Sequence, residues 1–184
     1  MTSSTDLAAV RDACLQFPHR FQSLHLGTCS TAGEPEASYA PFVHAHGSYY
    51  VYVSDLARHT TNLRSTQVCS VLFIEPENDA KHLFARERLT LRCTARACER
   101  DSAIFDDVLD LFAARFGKFM EIIRPLEDFQ LFELTPHSGT YVAGFAKAYS
   151  LEGQDLAQIQ HRQDQGHRSP DSASAHRLSV EVSR

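Results

Sequence analysis

Hydrophobic and polar positions alternate along this chain with two different periods. Tyr49-Tyr-Val-Tyr-Val53 is an unbroken aromatic and β-branched run, a composition that favours a strand. Immediately after it Leu56, Thr60 and Leu63 fall at helical spacing, with Ser54 or Asp55 placed to cap the helix. Ahead of it, Asp6 to Phe21 predicts a helix whose apolar face is Leu7, Val10, Cys14, Leu15 and Phe17, interrupted at Pro18. Ser23 to Ser30 alternates as a strand and runs into the turn Thr31-Ala-Gly-Glu-Pro35, where Gly33 is free to take a positive φ. Glu36 to His44 reads as a second strand, with Pro41 confined to an edge or a bulge because it lacks an N–H. His46-Gly47 then turns the chain into the aromatic run. The first half is therefore expected to be an antiparallel meander.

Gln67 to Ile74 is nearly continuous in apolar residues and predicts a strand buried on both faces. Glu75 to Asp79 reads as a loop and Ala80 to Phe84 as a short helical turn. From Arg86 to Cys98, Leu89, Leu91, Cys93, Ala95 and Ala97 alternate with Arg88, Thr90, Arg92, Thr94 and Arg96, a long strand with one wet face. Asp101 or Ser102 opens a helix through Ile104, Val108, Leu111, Phe112 and Phe116 that Gly117 ends, and Phe119 to Ile123 is ambiguous. Leu126 to Leu134 reads as a strand, Thr135-Pro-His-Ser-Gly139 as a turn, and Thr140 to Phe145 as a last core strand. Leu151 to Ile159 suits a short helix. From Gln160 onward polar residues dominate, and such a tail orders only if a ligand or a neighbouring subunit holds it. Short strands, few helices and meander connections together predict a mainly β protein, a small barrel with peripheral helices. The expected organisation is an N-terminal helix over 1–22, a barrel domain over 23–150 and a C-terminal helix with polar tail over 151–184.

Composition narrows the partners. With 184 residues and 43% hydrophobic side chains, one domain with a sizeable core is expected. A net charge of −5 argues against nucleic acid as the main partner. Five cysteines, none in a Cys-x-x-Cys pair, suit free thiols in a reducing compartment. No leader-like segment and no window of about 18 apolar residues stands out, so no membrane span and a cytoplasmic location are expected. Arg58 and His59 fall in the first turn of the helix after the aromatic run, where the dipole already favours an anion. Two basic residues there point to a bound phosphate or carboxylate, or simply to a solvated helix start.

Seven segments occur together in one order: Ser38-Tyr-Ala-Pro-Phe42, Ser54-x-x-Ala-Arg-His-x-x-Asn-Leu63, Phe84-Ala-Arg-x-Arg-Leu-Thr90, Glu99-Arg-Asp-Ser102, Ala114-Arg-Phe-Gly117, Asp128-Phe-x-Leu-Phe132 and Gly144-Phe-x-Lys-Ala-Tyr149. In this the chain resembles the HugZ/HutZ-type haem-utilisation proteins, a haem-degrading branch of the pyridoxamine 5′-phosphate oxidase-like, FMN-binding split-barrel superfamily. The resemblance covers roughly residues 20–168. It implies a homodimer of split barrels with haem, both substrate and cofactor, in the cleft between subunits, and an external electron donor.

By resemblance the C-terminal segment Gln165-Gly-His167-Arg supplies His167 to the iron, and Asp128 of the other subunit accepts the second N–H of that imidazole. A carboxylate in that role fixes the tautomer and strengthens the ligand. Arg58, His59 and Arg88 would suit the two propionates, Arg88 is placed with Asp128 among the catalytic groups, and Asn62, Arg86 and Lys147 are further contacts. Phe42, Tyr49 and Phe84 would suit the flat macrocycle. His44, His46, His82, His137, His161 and His176 compete as ligands. Flavin-binding relatives commonly carry a lysine where this chain has His59, a departure that weakens the flavin reading; an FMN-dependent oxidoreductase on the shared scaffold is the alternative and a non-enzymatic haem carrier a third reading.

Overall fold

The computed structural model describes residues 4–162, apart from 146, 154 and 155. Helix α1 (Ser4–Gln16) begins ahead of the expected start at Asp6, and a 3-10 turn (Phe17–Arg20) carries Pro18 at its start. Strands β1 (Ser23–Cys29), β2 (Pro35–Ala45) and β3 (Ser48–Ser54) form the expected meander. Gly33 and Gly47 take φ of 82° and 76° in the two turns. Pro41 pairs with Ser23 at the end of β1, and the pairing of β2 with β3 begins at the next residue, Phe42. Its missing N–H thus falls where β2 passes from one neighbour to the other.

Helix α2 (Arg58–Thr66) leads to β4 (Val68–Ile74), a 3-10 turn (Leu83–Ala85) and β5 (Arg88–Ala97). Helices α3 (Ala103–Phe116) and α4 (Phe119–Ile123) then precede β6 (Phe129–Val142), β7 (Ala148–Glu152) and β8 (Gln158–His161). The strand order is β3-β2-β1-β4-β5-β6-β7-β8, and β3 also pairs with β6. Six strands therefore close into a barrel, with β7 and β8 as an extension from its seam.

Two apolar clusters flank this wall. The barrel interior holds Leu24, Leu26, Phe42, Val51, Val71, Phe73, Leu89, Leu91, Phe132 and Leu134 among others. Outside it Tyr50, Tyr52, Val43 and Leu131 pack under Phe105, Val108, Leu109 and Phe112 of α3 and Met120 of α4. The aromatic run of β3 serves both clusters by parity, Tyr49, Val51 and Val53 inward and Tyr50 and Tyr52 under the helices.

Four expectations are corrected. β4 is not buried on both faces: Cys69, Val71 and Phe73 point inward and Ser70, Leu72 and Ile74 are only half-covered, because the helices shield β3 instead. Thr135 to Gly139 is not a turn but the middle of the long β6, where Cys93 pairs with Pro136 and Arg92 with Ser138. The proline signal is absorbed by a β-bulge with His137 as the additional residue. Leu151 to Ile159 is not one helix: Leu151 lies in β7 and Ile159 in β8, the two paired with each other as Tyr149 is with His161, and Gly153 at φ 83° follows β7. Finally, neither Ser54 nor Asp55 caps α2, whose N-cap is Ala57 with no side-chain hydrogen bond. Ser54 Oγ accepts instead from Leu56 N–H at 3.2 Å, which leaves Leu56 exposed outside the helix.

Candidate functional site

The strand-to-helix passage at the end of β3 brings the basic pair to the barrel rim. A cavity of about 310 Å³ opens there, lined by Ser30, Glu34, Pro35, Glu36, Arg58, Thr61 and Asn62. Arg58 is largely exposed and sits 3.7 Å from the Glu36 carboxylate. An ion pair that long and that wet contributes about 0–1 kcal/mol, so Arg58 turns to another anion at little cost. His59 Nδ1 lies 2.9 Å from Ser38 Oγ, whose hydroxyl donates to the Leu26 carbonyl at 3.3 Å. With that hydroxyl proton committed, Nδ1–H donates to Ser38 and Nε2 is left as an acceptor. Burial pulls His59 below its ordinary range, opposed by the charge of Glu36. His59 is thus a neutral imidazole near pH 7 rather than a second cation. Asn62 is buried and donates to Thr28 Oγ1 at 3.0 Å, bracing α2 against β1.

A second cavity of about 420 Å³ lies between the loop before β5 and the β6–β7 turn, lined by Glu75, Asp79, Lys81, His82, Glu87, Gly144 and Lys147 among others. Arg86 is tied into this loop, donating through both Nε and a terminal nitrogen to the Glu75 carbonyl and lying 3.4 Å from Glu77. Arg88 donates to the Arg86 carbonyl at 3.1 Å. Glu87 accepts from Tyr141 and holds Arg20 at 2.7 Å. Phe84 projects from the 3-10 turn, 85% exposed.

Asp128 lies just before β6, where Asp55 N–H donates to its carbonyl at 2.7 Å and Ser54 Oγ to its carboxylate at 3.3 Å. The loop ahead of it is clamped by Arg100. One terminal nitrogen donates to the carbonyls of Leu126 at 2.6 Å and Phe129 at 2.9 Å, and the other reaches that of Arg124 at 3.4 Å. Arg100 also lies 5.4 Å from the centre of the Phe105 ring. Sequence reasoning included Arg100 in a motif but gave it no role, because a carbonyl clamp has no residue pattern of its own. Ser38 was likewise quoted in a motif without a role and Glu36 only as a strand residue, because their partners His59 and Arg58 lie about 20 residues away in sequence.

One copy of the chain does not bring all the expected site residues together. Asp128 precedes β6 while Arg88 pairs with Val142 at its far end, separated by roughly 45 Å of strand contour at about 3.3 Å per residue. Phe42 and Tyr49 belong to the barrel core and are 1% and 6% exposed, so neither offers an open ring face to a macrocycle. His167 and His176 lie outside the described residues. Of the other histidines, His44 stacks on Tyr49, with burial and then His19 lowering its protonation. His46 holds φ 53° in the β2–β3 turn, and His82 Nδ1 accepts from Phe84 N–H. His137 sits at the bulge beside Ser138. His161 meets Tyr149 edge-on, its Nδ1 buried without a partner among the described residues. Among the described residues no three His, Cys, Asp or Glu side chains are grouped to hold a metal ion.

A closed six-stranded barrel with a helix N-terminus at its rim and a strand extension from its seam defines a split-barrel protein. Residues 10–143 match the family model described as pyridoxamine 5′-phosphate oxidase, and the chain belongs to that family. It is 40% identical over 153 residues to the haem oxygenase HutZ of Vibrio cholerae, covering 83% of this chain and 86% of that protein. The crystal structure of HutZ, described as a haem storage protein from Vibrio cholerae, matches with a TM-score of 0.65 at 39% identity over 68% of this chain and 89% of that one. That of Campylobacter jejuni ChuZ matches with a TM-score of 0.78 at 30% identity, over 89% of this chain and 66% of that one.

Proposed function

We propose that this chain binds haem between two copies of itself and opens the ring oxidatively, using electrons from an external donor. The observation that carries the reading is the 40% identity to a haem oxygenase across most of both chains. When bound, haem supplies the oxidative chemistry itself, and the protein's part is to hold and orient it. His167 is the ligand to iron in this reading, and Asp128 from the second copy accepts the other imidazole N–H. The described residues fit that assignment: the Asp128 carboxylate is exposed and takes one hydroxyl donor, Ser54, so acceptor capacity remains. The placement of Asp128 and Arg88 at opposite ends of the β5–β6 pair supports a two-copy site. Arg58, loosely paired, is free to take a propionate, with Arg88 as a second cation. Lys147, on the second cavity, is a further contact. Phe84 offers an exposed ring to the macrocycle, a role Phe42 and Tyr49 do not fill.

Flavin is the second reading, supported by the family. The α2 rim disfavours it: the FMN phosphate would meet Glu34 and Glu36, with His59 neutral and turned to Ser38. Charges of like sign close together raise the cost of a dianion. Haemin titration followed by visible spectroscopy tests the proposal. Wild type is expected to develop a sharp Soret band that bleaches with a reductant in air, and His167→Ala to lose both. Unchanged ligation in His167→Ala would discard the ligand, a stable ring under reductant would leave a carrier, and FMN uptake without haemin uptake would favour the flavin.

A further inference from the structure

A third cavity, of about 320 Å³, lies away from α2, where α1 and its 3-10 turn cross the mouth formed by the β2–β3 turn. Arg11, Gln16 and His19 line it from the helical side, and His44, Tyr49 and Leu156 from the barrel side. The imidazoles of His19 and His44 meet edge to face with centres 5.7 Å apart, and His44 stacks on Tyr49 at 4.7 Å. Among the described residues Arg11 Nε is buried with no hydrogen-bond partner and Arg11 forms no ion pair. A guanidinium nitrogen taken out of water without an acceptor costs free energy that a bound acceptor restores. Among the lining residues, no side chain is a carboxylate. Glu87, whose charge like that of Arg11 reaches Cys14, is already engaged by Arg20 and Tyr141.

We infer that this cavity is a binding site for a small organic carboxylate, held by the Arg11 guanidinium between the His19 and His44 imidazoles. Three lining features select that class. Arg11 supplies charge-assisted donors with fork geometry suited to a carboxylate. The imidazoles add two further donors at the mouth once an anion is present. Leu15, Tyr49, Pro136 and Leu156 form an apolar remainder that suits a short hydrocarbon chain. Two imidazoles at this spacing also resemble half of a metal site, but a guanidinium on the same wall repels a cation, and the third ligand is lacking among the described residues. Of its lining residues His44, a competing ligand, and Tyr49, a candidate for the macrocycle, were considered for haem, and the assignment to His167 and Phe84 leaves both to this site.

The test uses the full-length protein without haem and sodium butyrate as the probe, followed by the imidazole C–H resonances of the histidines. Saturable shifts confined to His19 and His44, with a Kd on the order of 1 mM, are expected. Arg11→Gln should weaken them about tenfold or more while Arg58→Gln leaves them unchanged. Thermal melts of both variants show whether they remain folded, and Arg11→Lys, which keeps the charge without the fork, is expected to fall between wild type and Arg11→Gln. Absence of saturation, equal shifts in Arg11→Gln, or zinc ion titrating these histidines where butyrate does not would each overturn the site.

Discussion

Replacing Arg100 by alanine should both loosen the fold locally and disturb Asp128. The guanidinium ties together three carbonyls, those of Arg124, Leu126 and Phe129, that bracket Asp128 in sequence. Hydrogen bonds from a charged donor contribute about 1.5–3 kcal/mol each when protected, and less where water can replace them. The Leu126 carbonyl is in wet surroundings and the other two are part-buried. The stacking on Phe105 adds about 0.5–1 kcal/mol. A net loss of about 2–3 kcal/mol follows, and for a domain of this size that is roughly 5–10 °C in Tm. In haem-bound protein the same variant should shift the Soret band and slow ring loss in the direction Asp128→Asn does, because a displaced carboxylate and an uncharged one both weaken the acceptor. Arg100→Lys, with one nitrogen in place of the fork, should recover part of the melting temperature and less of the spectrum. A Tm within about 2 °C of wild type, or a destabilised protein with a wild-type spectrum and turnover, would refute the clamp.

Gly139→Ala should cost about 2–3 kcal/mol, because a Cβ there would lie 2.8 Å from the Thr90 carbonyl oxygen and 2.8 Å from Leu91 Cδ2, and a backbone atom between paired strands cannot move aside cheaply. Urea unfolding with an unchanged midpoint would contradict that packing. Burial lowers His59 from 6.5, so in the window below 6.5 the unfolded chain binds the proton more readily, and stability falls as pH drops from 6.5 towards the folded value. His59→Gln should flatten that limb of the Tm-against-pH curve; His44 shares the same direction, so the difference between the two curves is the readout. The loss of the Soret band in His167→Ala completes the set.

Local pattern was enough for most of the fold. The period-2 alternation of Ser23–Ser30 and Arg86–Cys98, the helical spacing from Ile104 to Phe116 and the glycine that ends it act within a few residues, and each is found where the pattern puts it. Patterns fail where the deciding partner is distant in sequence. Pro136 and Gly139 look like a turn until β5 and β7 lie on either side and a bulge absorbs them. Leu151 to Ile159 scores as a helix until Tyr149 and Leu151 need a covered face, and the hairpin with β8 provides it.

The candidate site divides in the same way. From composition and order of residues alone came the family likeness, the basic start of α2 and the roles the likeness assigns to Arg58, Arg88, Asp128 and His167. Tertiary structure alone decided that His59 is neutral and turned towards Ser38, that Glu36 partners Arg58, that Phe42 and Tyr49 belong to the barrel core, and that Asp128 and Arg88 sit at opposite ends of the β5–β6 pair. The physical reason is common to all four. Charge state, burial and separation are properties of neighbours brought together by folding, and a residue's identity does not carry them.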